Sequence, residues 1–128
     1  MGQLPARIYS YEDSLTRVQQ QEYRGRQLIE PGVQSLIAAF LMFGVTAFNS
    51  CEGFTGDPAR AYPWVDFPRD QYAHASALVL AAGIADWEWE PRPDSPYFRL
   101  KPVSVSAPLQ EMRAQVASLA ERIRSLAQ

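Results

Sequence analysis

Apolar residues recur along this chain in two periods. Val33, Leu36, Ile37, Phe40 and Leu41 follow the i, i+3, i+4, i+7, i+8 spacing of one helical stripe. Met42 and Phe43 widen it, which predicts a helix covered on more than one side. Pro31 suits its first turn, where the missing N–H has no intrahelical partner, and Gly44 suits a left-handed stop. Val45 to Ser50 then reads as a buried strand. Upstream, Ser10 with Asp13 resembles a capping box with Asp in place of Glu. Tyr11, Leu15 and Val18 share one face, which predicts an amphipathic helix over 11–24. Downstream, residues 52–62 form a loop with Gly53, Gly56, Asp57 and Pro58, and Trp64–Phe67 reads as a short strand. Pro68 opens the next helix, with Ala75, Leu78, Val79 and Ala82 on one face and Gly83 as its stop.

The period-two pattern is clearest over 84–103. Acids and tryptophans alternate in Asp86-Trp87-Glu88-Trp89-Glu90, and basic and apolar residues alternate in Tyr97-Phe98-Arg99-Leu100-Lys101. The Pro-rich segment 91–96 between them reads as a turn. An antiparallel hairpin with Glu90 opposite Tyr97, Glu88 opposite Arg99 and Asp86 opposite Lys101 puts aromatic pairs on one face and ion pairs on the other. A one-residue slip would bury the acids.

The final segment, 108–128, is a helix. Leu109, Met112, Val116, Leu119, Ile123 and Leu126 follow a 3-4-3-4-3 spacing, a narrow seam like that of a coiled coil. The seam either packs on the domain's own sheet or forms a homodimer through the C-terminal helix. Helix, helix, strand, strand, helix, strand, strand, helix predicts an α/β or α+β fold. It would be one small domain, with a mixed sheet of about four strands, the antiparallel hairpin 84–103 and helices packed on it. Residues 1–30 read as an N-terminal helical extension, 31–105 as the α/β core and 107–128 as the C-terminal helix.

Composition narrows the class. The chain has 128 residues, a formal net charge of −2, one cysteine and one histidine. Its length suits one domain that needs no metal or disulfide to hold it. One cysteine excludes an internal disulfide, and a structural zinc site usually needs four Cys or His ligands. Twelve basic against fourteen acidic residues give no electrostatic footprint for nucleic acid, which is not an expected partner. The apolar run Leu36–Phe48 is roughly 13 residues, where a membrane span takes about 20. The N-terminus is short, polar and interrupted by Pro5, unlike a signal peptide. No membrane association, no cofactor and a cytoplasmic location are expected.

The segment Asn49-Ser50-Cys51-Glu52-Gly53 carries the strongest candidate chemistry. It lies where a buried strand turns into a Gly-containing loop, a favoured place for ligands in sheets with parallel strands. A thiol there could be activated by nearby backbone N–H groups, with Glu52 as a general base. Cys51 and His74 could form a nucleophile and base if they meet in space. The opposing reading is that Cys51 is a buried apolar side chain and His74 a boundary residue. Arg60 and Arg69 flank Tyr62-Pro63-Trp64, where an arginine fork and the indole plane of Trp64 could hold an anion. The row Asp86, Glu88, Glu90 reads as a solvent face paired with Arg99 and Lys101.

Gly44, Val45, Thr46, Ser50, Cys51, Glu52, Gly53, Pro63, Trp64 and Val65 resemble a group of small uncharacterised bacterial proteins. These carry a Ser-Cys-Glu-Gly-His motif followed by a Pro-Trp segment. The resemblance covers roughly 31–67, and this chain has Phe54 where the motif has His. It implies no activity. Ser50–Gly53 is also similar to the Ser-Cys-Ser-Gly segment of tRNA wybutosine-synthesis proteins of the third type, a match too short to imply RNA modification.

Three functions follow as expectations. The first is a small-ligand-binding or regulatory protein, its site formed by Asn49, Ser50, Cys51, Glu52, Gly53, Arg60 and Trp64. The second is a protein-interaction module, such as an accessory, immunity or inhibitor protein, acting through its helices. The third is a thiol enzyme using Cys51 and His74. The expected partner is a small molecule or a protein.

Overall fold

The computed structural model describes residues 4–54, 61–91 and 94–127. Helix α1 (Tyr11–Gln19) leads through a two-strand ribbon, β1 (Glu22–Tyr23) and β2 (Arg26–Gln27), into helix α2 (Pro31–Leu41). Strands β3 (Asn49–Cys51) and β4 (Trp64–Pro68) follow, then helix α3 (Arg69–Ala82). Strands β5 (Trp87–Pro91) and β6 (Tyr97–Pro102) precede helix α4 (Leu109–Ser125).

The main sheet has the order β3-β4-β6-β5, and every neighbouring pair is antiparallel. The domain is therefore α+β. The expected mixed sheet is corrected, because β6 lies between β4 and β5. Those two strands run the same way without touching, and α3 crosses from one to the other. The unit β4-α3-β5-β6-α4 is thus a split β-α-β arrangement. The flank that a strand after α4 would fill is taken by β3, from the N-terminal side.

The helix expected over 11–24 ends at Gln19. Its start is as read: the Ser10 hydroxyl accepts the Asp13 N–H at 3.1 Å. Its end is set by the β1–β2 ribbon, whose turn residues Arg24 and Gly25 have φ of 54° and 78°. Two successive positive φ angles are those of a tight type I′ hairpin turn. The helix α2 buries Val33, Leu36, Ala39 and Phe40, with α1, α4 and β3 packed against it. Of the strand expected over Val45–Ser50, only Asn49 and Ser50 join β3, which runs one residue further to Cys51. Val45 N–H instead returns to the Phe40 carbonyl at 3.2 Å, and Thr46 N–H reaches the Gln71 side chain on α3 at 3.2 Å.

The hairpin β5–β6 forms with its predicted faces but a different register. Glu88 lies opposite Lys101, Trp89 opposite Leu100 and Glu90 opposite Arg99. This is a two-residue shift, which leaves every side chain on its predicted face. The cause is β4, the other neighbour of β6, whose Asp66 lies opposite Arg99 and bonds it.

The inner face of the sheet carries Val65, Phe67 and Leu100, all buried with Phe40, Leu36 and Leu78. Phe40 and Phe67 meet edge to face at 4.7 Å. The seam residues Met112, Val116, Leu119 and Ile123 are buried within this one chain, where α4 packs on α2 and α3. The seam is thus covered inside the domain, but by α2 and α3 rather than by the sheet on which it was expected to pack, and these side chains are not free to form a homodimer.

Candidate functional site

The Ser50–Gly53 segment is built into the fold through nearly all of its polar groups. Cys51 is 1% exposed, and its sulfur accepts the Gly53 N–H at 3.4 Å. Glu52 N–H donates to Glu30 Oε1 at 2.9 Å, and Glu52 Oε1 accepts the N–H of Gly32 at 3.2 Å. From α4, Arg113 donates to the Glu52 and Gly53 carbonyls at 3.2 and 2.7 Å. Gly53 has φ +86°, and a Cβ there would lie 2.6 Å from Leu109 Cδ1 and 3.1 Å from the Tyr62 carbonyl carbon. The glycine is needed both for its left-handed backbone and for this close approach. Ser-Cys-Glu-Gly therefore joins β3, the start of α2 and the start of α4.

The candidate residues fall in different places in the fold. Cys51 faces Trp64 across the β3–β4 register. His74 is exposed on α3, and no hydrogen bond joins it to Cys51 among the described residues. The thiol lies under cover, and Glu52 is engaged as a cap. Asn49 is exposed, with its Oδ1 accepting the neighbouring Ser50 N–H at 2.9 Å. Arg60 lies outside the described residues. Arg69 does not join Trp64: its guanidinium lies 5.2 Å from the Phe98 ring centre.

The cation on Trp64 is Arg99, whose guanidinium carbon sits 3.8 Å from the ring centre. The same group makes two bonds to the Asp66 carboxylate, at 2.8 and 3.2 Å. Burial works against the Arg99 charge. The bonds and attraction of Asp66, with a smaller contribution from Tyr62, more than offset it and hold the pKa above the ordinary arginine value. Lys101 reaches Glu90 at 2.8 Å and Glu88 at 3.6 Å. The outer sheet face is thus a self-neutralised layer. Among the described residues, no cluster of three or more His, Cys, Asp or Glu side chains could hold a metal ion, and no helix is long and apolar enough to cross a membrane.

A different surface stands open. Helix α3 turns Ala75, Leu78, Val79 and Ala82 toward the core. Ala73, Ala77, Leu80 and Ala81 form a second stripe at i, i+4, i+7, i+8 spacing on its other side. Leu80 is 66% exposed. Together with Tyr72, Trp87 and Trp89, and with Leu4 from the N-terminal segment, this stripe lines an open apolar groove of about 1040 Å³. Trp87 is 7% exposed, and its indole N–H has no partner among the described residues. The signal for this groove was present in the sequence: no Asp, Glu, Lys or Arg occurs from Gln71 to Ala85. A surface helix normally carries charges on the face away from the core.

A scan against protein-family models and searches of the curated proteins and the solved structures gave no match to this chain.

Proposed function

We propose that this chain is a protein-interaction module whose partner surface is the groove between α3 and β5. The observation that carries this reading is the second apolar stripe of α3, Ala73, Ala77, Leu80 and Ala81, left uncovered beside the edge strand β5. Contiguous exposed apolar surface of this kind marks interaction sites on soluble domains. The groove is open and at the upper end of the roughly 300–1,000 Å³ that small-ligand pockets occupy. That favours a protein segment over a metabolite.

The Ser50–Gly53 loop has less to offer a ligand, because Glu52, Gly53 and Cys51 already bond within the chain. A thiol reaction with Cys51 and His74 gains no support from their burial, one being covered and the other exposed.

The test compares Leu80→Asp with Val103→Asp, an equally drastic change at another exposed position. A partner protein retained from the source cells by the wild type and by Val103→Asp should be lost with Leu80→Asp. A photo-crosslinking residue in place of Ala77 should join that same partner. Retention by Leu80→Asp, or no crosslink from position 77, overturns the proposal.

A further inference from the structure

One residue of the groove lining does not belong to its walls. The lining on α3, on the turn after it and on β5 comes from a single continuous stretch of chain, Tyr72 to Trp89. Among the described residues, Leu4 alone reaches the groove from elsewhere. Leu4 is 40% exposed, and it belongs neither to the buried core nor to the partly buried residues packed against it. It is laid on the groove rather than built into the domain.

The segment that carries Leu4 is fixed further along the chain. The N–H groups of Ile8 and Tyr9 both donate to the Met42 carbonyl, at 2.6 and 3.1 Å. Ile8 closes over Gly44, where a Cβ would lie 2.5 Å from Ile8 Cδ1. The Arg17 guanidinium lies 4.3 Å from the Tyr9 ring centre. Residues 4–8 have no regular secondary structure, and among the described residues no backbone hydrogen bond holds Leu4, Ala6 or Arg7. A stretch with few buried contacts and no backbone bonds opens at little free-energy cost. Pro5 disfavours helical backbone at Leu4, which keeps the segment extended.

Resting on the groove reading above, we propose that residues 4–9 form an autoinhibitory strap. Its fixed point is at Met42 and Gly44, just after α2. Its free part lays Leu4 on the groove, and an occupant of the groove displaces Leu4 first. The affinity of any occupant is then reduced by the fraction of molecules in which Leu4 is out of place. For one partly covered leucine, release of the strap should tighten binding by about fivefold or more.

The test uses the apolar fluorescent dye anilinonaphthalene sulfonate as the groove probe, titrated into the full chain. Leu4→Ser removes the contact, and Ile8→Ser frees the strap at its fixed point without touching the groove. Both should tighten dye binding by about fivefold or more. Val103→Ser, at an exposed position outside the groove lining, should leave it unchanged. Adding Leu80→Asp to Leu4→Ser should abolish the gain. In the wild type, the NMR signals of the Leu4 methyl groups should move to free-chain positions as the dye saturates. Weaker dye binding by Leu4→Ser makes Leu4 a wall of the groove and overturns the strap. Unchanged or absent binding in both strap variants overturns it too, as does a gain that survives Leu80→Asp. Leu4 methyl groups that keep their folded positions at saturating dye overturn displacement without recourse to any variant. Each of these failures leaves the groove reading standing, because retention of a partner protein by Leu80→Asp is measured separately and with the strap intact.

Discussion

The carboxylate of Glu52 accepts the backbone N–H of Gly32 at 3.2 Å, across 20 positions of sequence. Helix α2 has no side-chain cap of its own, since Glu30 at its N-cap makes no capping bond. Glu30 instead accepts the Glu52 N–H, so the two glutamates exchange roles across a tertiary contact. Glu52→Ala should therefore behave like the loss of a helix cap, at a cost of about 1 kcal/mol in chemical denaturation. Gly32→Ala should destabilise too, although alanine favours a helix by about 1 kcal/mol. Its Cβ would lie 2.7 Å from Glu52 Cβ. A stabilised Gly32→Ala variant would show that the glutamate is not held where it is described.

The burial of Cys51 fixes what its chemistry should look like. Alkylation of the native protein should be slow and should accelerate with denaturant in step with unfolding, because the sulfur is reached only when the structure opens. His74→Ala should leave both that rate and the stability within about 0.5 kcal/mol of wild type, as for other exposed positions. Fast modification in the native protein, slowed by His74→Ala, would restore the thiol-enzyme reading.

The alternation in Asp86–Glu90 and Tyr97–Lys101 carried the faces of the hairpin but not its register. Period two decides which side a residue occupies, and a two-residue shift leaves that unchanged. What chose the register was Asp66, on a strand that the local pattern could not place beside β6. The cap from Glu52 to Gly32 was equally hidden, because nothing local links a loop carboxylate to a distant helix start. The turn at Arg24-Gly25 was missed for another reason: arginine is an unusual residue at φ 54°. The groove had a sequence signal in the uncharged stretch Gln71–Ala85. It needed the fold to show that one stripe of α3 is covered and the other is not.

Asp66 and Arg99 form a pair with side chains only 9% and 11% exposed. Removing one partner leaves a covered charge without its counterion, so Asp66→Asn should cost about 3 kcal/mol. Asp66→Val combined with Arg99→Met should cost less than Asp66→Asn alone, because neither charge then remains to be desolvated. Denaturation midpoints of the single and double variants check this. A double variant as unstable as the sum of its singles would mean that the pair does not act as a unit.

Lys101 gives the fold an alkaline limit that can be measured at one residue. Its bond to Glu90, against some burial and with the further attraction of Glu90, Tyr62 and Glu88, raises its pKa above the ordinary 10.5. A proton held more tightly in the folded than in the unfolded chain stabilises the folded form. The stabilisation is complete below the ordinary lysine value and is lost as pH rises through the higher, folded one. The stability difference between wild type and Lys101→Met should thus be constant near neutral pH and shrink above about 10.5. Adding salt should reduce the difference at neutral pH, because Glu88 and Glu90 are both partly exposed. A difference that stays flat or grows across the alkaline range would mean that Lys101 contributes through the packing of its methylene stem rather than through its charge.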